Sequence, residues 1–133
     1  MQTMKTLAAA ALIAAGTLSA NLALAQQDGI GRTELQRHDL SAKGREVIQV
    51  RVDFAEGASF PMHTHPGEEI AYVLEGTLEY GFPDKPSVTL KKGDTLFIPA
   101  GQPHSAKHVG TGKASELATY VVEKGKPLVV KTR

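Results

Sequence analysis

His63 and His65 stand two residues apart, and Glu69 follows four residues later, in the run GASFPMHTHPGEEIAYVLEG over residues 57–76. On an extended strand, side chains two apart leave from one face, so both imidazoles point together. Pro66-Gly67 reads as a turn, and the β-rich IAYVL beyond it puts Glu69 at the mouth of the next strand. Two imidazoles and a carboxylate placed this way make an incomplete metal site. His104 is the expected fourth ligand. Met62, one residue before His63, points to the opposite face and is not counted.

Neutral imidazoles and a carboxylate are borderline-hard ligands. They suit one divalent transition metal (Mn, Fe, Co, Ni, Cu or Zn) and fit Cu(I) poorly, since no thiolate or thioether is at hand. Four protein ligands leave two positions of an octahedral ion for water or a small-molecule substrate or ligand. A bidentate oxyacid, a diketone or enolate, or a substrate with dioxygen would use them. The ion would act as a Lewis acid, a template or a redox centre. Glu69 has a second possible role as a base. A closed structural metal fits less well, because structural zinc sites are usually cysteine-rich and saturated.

The elements that must position these residues are strands. In EVIQVRVDF, Ile48, Val50, Val52 and Phe54 alternate with Gln49, Arg51 and Asp53, which predicts a half-buried strand. Glu56-Gly57 turns the chain, and Ala58 to His65 returns as a second strand. Residues 69–75 form a third, with Ile70, Tyr72 and Leu74 facing away from Glu69, Ala71 and Val73. Apolar on both faces, it must be covered on both, by a second subunit in a homodimer or by the chain's own arm or C-terminal strand. Further strands are expected in TLEYGF, at 87–90, in TLFI, at 104–109, over 115–123 and near 127–131, with loops at PDKP and GTGK. No helix is expected after the leader. Short strands at intervals of 8–12 residues indicate a β-sandwich or barrel without choosing between them.

Lys5 followed by an Ala/Leu-rich run ending in Ala23-Leu24-Ala25 reads as a signal peptide over residues 1–25, with the mature chain starting at Gln26. Gly16, Thr17, Ser19 and Asn21 dilute the run and weigh against an uncleaved anchor. Export makes the protein periplasmic or secreted, with no membrane association after cleavage. The remaining chain balances its acidic and basic residues, so no basic excess is available for nucleic acid. Cysteine is absent, so no disulfide supports the fold. Residues 26–44 are polar and without period, and read as a flexible arm holding at most one short strand. His38, among charged neighbours, reads as a surface residue. Tyr72, Tyr80, Phe82 and Phe97 read as core or interface rather than as substrate-stacking rings, and Lys91-Lys92 as a solvated turn.

The spacing Gly57-x5-His63-x-His65-x3-Glu69-x6-Gly76 resembles the first motif of the cupin superfamily. Gly93, Pro99, Gly101 and His104 match the second motif at its own spacings. The resemblance implies an all-β domain over 45–133, a small jelly-roll β-barrel that is often dimeric, with a three-His, one-Glu metal site near its mouth. It points to a metalloenzyme with dioxygenase-like or organic-acid chemistry, or alternatively to a non-catalytic protein that binds a metal or a metal–ligand complex. Glu69 and His108 are the catalytic candidates. His108 stands where the family usually has asparagine, and by period two it shares a face with His104. Packing, support of a ligand, proton transfer and metal ligation are all open to it.

Overall fold

A computed structural model describes residues 28–132. The leader expected over residues 1–25 and the terminus at Gln26 lie outside the described residues. The order is β1 (Ile30–Asp39), β2 (Arg45–Phe54), β3 (Ser59–Thr64), β4 (Gly67–Glu75), β5 (Thr77–Gly81), β6 (Val88–Lys91), β7 (Thr95–Ile98), β8 (His104–His108), β9 (Ala114–Glu123) and β10 (Val130–Lys131). No helix occurs among the described residues.

The strands form two antiparallel five-stranded sheets, ordered β1-β2-β9-β4-β7 and β10-β3-β8-β5-β6. This is the expected all-β jelly roll. Each strand buries alternate residues. Ile48, Val50, Val52 and Phe54 of β2 face inward, as their period requires, and meet Val73, Leu78, Ile98 and Val122 in the core. Gly76 carries φ +74° at the turn from β4 to β5, a conformation open to glycine.

Two expectations are corrected. Of the segment expected as a loose arm with at most one short strand, the described part is largely strand, because β1 runs for ten residues along β2 from Ile30 opposite Phe54 to Asp39 opposite Glu46. β1 is an edge strand whose side chains are mostly exposed beyond Arg32, and a bulge at Glu34/Gln36 breaks its register. Main-chain pairing holds it, so it leaves no hydrophobic period in the sequence. Gly67 lies in β4 rather than in a turn. A Cβ there would collide with the Val121 carbonyl oxygen, so glycine allows β4 to lie close against β9.

On the outer face of β4 and β7, Ile70, Tyr72 and Phe97 are 46%, 42% and 61% exposed. Ile70 sits opposite Phe97 across the pair. β1 lies at the far edge of that sheet and β10 in the other sheet, so neither covers this row.

Candidate metal centre

His63 and His104 are direct partners across β3 and β8. Side chains opposed in this way lie close on one face, and the two rings are 4.2 Å apart between centroids. His65, just past the end of β3, brings its ring within 5.1 Å of His104 and 4.8 Å of His63. Glu69 comes from β4 in the other sheet, so the group bridges both layers. The connection before His104 is tied to the first motif. Gly101, at φ +72°, donates its amide to the His65 carbonyl at 3.2 Å.

All four side chains are buried. One ligand atom from each lies within 4.8 Å of the others. Bonds of about 2.0–2.2 Å to a shared ion span at most ~4.4 Å across the ion. Closure therefore takes shifts of only a few tenths of an ångström.

The hydrogen bonds fix how the rings present themselves. Nδ1 of His63 faces the Pro61 carbonyl at 2.8 Å, that of His65 the Leu128 carbonyl at 2.6 Å, and that of His104 the Gln102 carbonyl at 2.9 Å. A carbonyl only accepts, so each Nδ1 carries the hydrogen and each neutral ring keeps its lone pair on Nε2. Glu69 Oε2 stands 3.0 Å from Nε2 of His65 and 3.1 Å from Nε2 of His104. His65 Nε2 is buried and has no hydrogen-bond partner. Lone pairs turned toward an anion require a cation between them, either a proton or a metal. The donor set therefore fits a metal, and His63, His65, Glu69 and His104 are the residues that could hold it.

The charges agree with this. Burial raises the Glu69 carboxyl, but the His104 and His65 rings outweigh it and hold Glu69 down at about 2. Burial, with His104 close by, lowers His63 to about 3. Burial also disfavours charge on His104, yet the ionised Glu69 carboxylate facing its Nε2 would accept from a protonated ring and leaves it raised. The pocket keeps its carboxylate ionised and His63 neutral, as metal ligation needs.

His108 is not in this group. It lies on the same face of β8 as His104 and is buried, but four residues of strand carry it about 13 Å further along. Its Nδ1 donates to the Ala55 carbonyl at 3.1 Å. Sharing a face did not mean sharing a point. His38 lies on exposed β1, in keeping with a surface role.

Sequence reasoning missed a second cluster. A cavity beside His63, Glu69 and His104 is also lined by Arg32, Tyr80, Glu116 and Tyr120. The Tyr80 hydroxyl donates to Glu116 Oε2, and Arg32 Nη2 donates to the Tyr120 hydroxyl at 3.3 Å. Burial, reinforced by the Glu69 charge, raises Glu116 to about 7. A signal for Glu116 was present, since it falls in phase with the inward row Ala118, Tyr120 and Val122 of β9. Arg32, on a strand without period, gave none.

The family model described as "Cupin domain" matches residues 50–129. A germin-like protein, subfamily 2 member 1, of Arabidopsis thaliana is 43% identical over 75 residues, covering 53% of this chain and 34% of that protein. The chain thus spans about a third of the length of the curated relatives it matches. A structure of recombinant oxalate oxidase in complex with glycolate aligns with TM-score 0.64 and 29% identity, over 80% of this chain and 57% of that one. A cupin-like protein from Thermotoga maritima aligns with TM-score 0.64 over 77% of this chain and 75% of its own, and at 23% identity it speaks for the fold alone. Motifs, sheet topology and family match agree: this chain belongs to the cupin family.

Proposed function

We propose that this chain is an exported metal-dependent enzyme acting on a small oxygenated acid. His63, His65, Glu69 and His104 would hold one divalent transition ion. The observation that carries the reading is the convergence of three imidazole lone pairs and an ionised carboxylate beside a polar cavity. When bound, the ion supplies Lewis-acid or redox chemistry.

The chain's own residues do the rest. The three backbone carbonyls lock the imidazoles in the ligating tautomer. Glu116, held by Tyr80, offers a carboxyl able to take up and return a proton at neutral pH. Proton transfer was one of the roles open to His108; its Nδ1 faces the Ala55 carbonyl, and Glu116 lines the cavity in its place. Glu69 stays a ligand, and its role as a base is not needed.

Small acids are placed ahead of diketones and phenolics for two reasons. The cavity itself is small, with about 10 Å³ of room, scarcely one water, so only a compact ligand can be taken in, and only as the lining gives way. A solved relative is an oxalate oxidase carrying glycolate. Export rests on Lys5, the Ala/Leu run and Ala23-Leu24-Ala25. A homodimer through β4 and β7 would cover Ile70, Tyr72 and Phe97.

The test is to load the purified protein with each candidate metal and screen two- to four-carbon acids for turnover. Metal-dependent turnover supports the reading. One bound ion per chain with no turnover on any acid, diketone or phenolic makes the protein a metal-binding module instead.

A further inference from the structure

Arg32 enters the cavity from β1, where it pairs with Val52. Its Cζ lies 5.6 Å from the Phe60 ring centroid and 6.0 Å from that of Tyr120. These two rings touch the metal-site histidines, Phe60 at 4.6 Å from His63 and Tyr120 at 4.7 Å from His65. The guanidinium therefore stands one aromatic ring away from the candidate ligands. Its single hydrogen bond among the described residues goes to the Tyr120 hydroxyl, and its Nε is buried without a partner. Among the described residues it makes no ion pair.

A partly buried cation without a counter-ion is costly unless something else neutralises it. Glu116 is the nearest candidate, but its carboxyl already takes the Tyr80 hydroxyl and forms no ion pair with Arg32. A divalent ion with the Glu69 carboxylate leaves one positive charge, and Arg32 adds another. Even a fully ionised Glu116 removes only one of the two. The cavity is therefore positive in every protonation state of Glu116, and its planar donor fork matches a carboxylate.

We propose that Arg32 is the specificity-determining residue of this centre, anchoring a second anionic group on a compact acid whose first carboxylate meets the metal. This rests on the metal reading above. A monoacid would use only the metal end of the site. An acid with two anionic groups would use both ends and bind more tightly.

The test compares malonate with acetate on the metal-loaded full chain by titration calorimetry, with metal content measured on the same samples. The wild type is expected to prefer malonate by about tenfold or more, the size of one good charge-assisted contact. Arg32→Met should bring malonate down to the affinity of acetate, leave acetate unchanged and keep one metal per chain. Arg32→Lys, which keeps the charge and loses the fork, should fall in between, and it carries the test alone if Arg32→Met does not fold. Equal affinities in the wild type, an undiminished malonate preference in the variants, or parallel loss of metal and acetate binding would overturn the proposal. Failure of the wild type to take up any metal would instead remove the metal reading, and this proposal with it.

Discussion

Nε2 of His65 lies 3.0 Å from Oε2 of Glu69, yet that nitrogen makes no hydrogen bond. Its ring hydrogen is on the far side, committed to the Leu128 carbonyl. The contact is close without being bonded, an arrangement able to take a cation shared between the two side chains.

His104→Ala should abolish stoichiometric metal binding while the barrel still folds. His104 sits at the start of β8, and its loss removes one ligand without touching the apolar core. Elemental analysis with circular dichroism checks this. Retained metal in a folded variant would remove His104 from the ligand set.

His108→Asn should leave metal content unchanged and lower stability by no more than about 2 kcal/mol, the range for one buried hydrogen bond. The contact at stake is Nδ1 to the Ala55 carbonyl, at the other end of β8 from His104. Loss of metal in this variant would show that the two ends of β8 act on one site.

Glu116 sets a pH dependence in the metal-free protein. Its folded-state pKa is raised to about 7 by burial and by Glu69, above the ~4.3 of an unfolded glutamate. A raised pKa means the folded state holds the proton more tightly. Its stabilising contribution is complete below pH ~4.3 and is lost as pH rises through about 7. A shift of that size is worth roughly 4 kcal/mol. Glu116→Gln, neutral throughout, should lose less stability than the wild type between pH 5 and 8 in thermal melts with chelator present. An unchanged pH slope would show that Glu116 is not the titrating group.

Phe97→Asp should convert a dimer to a monomer with the fold intact. Phe97 is 61% exposed opposite Ile70 on a face that nothing in the described chain covers. Light scattering after size-exclusion chromatography reads the mass directly. A wild type that is monomeric at every concentration tested would refute the dimer.

Much of the candidate metal centre was legible because two short motifs carry their own geometry. The His-x-His spacing puts two rings on one face, and the Pro99–Gly101 bend returns His104 to them through the Gly101 amide. β2 and β4 were legible by alternation. Other features left no local trace. β1 is held by main-chain pairing to β2, so its side chains show no period and Arg32 was invisible. The role of His108 stayed open in the sequence because period two fixes a face and says nothing of distance along the strand. Gly67 looked like turn chemistry and answers instead to the approach of β9, which only the tertiary fold creates.

X-ray absorption spectroscopy on the metal-reconstituted protein, with elemental analysis of the same sample, tests the central claim most directly. The account predicts one metal ion per chain and a first coordination sphere of nitrogen and oxygen at about 2.0–2.2 Å, with scattering from three imidazoles. A substoichiometric ion, or a sphere of oxygen alone without imidazole, would contradict it.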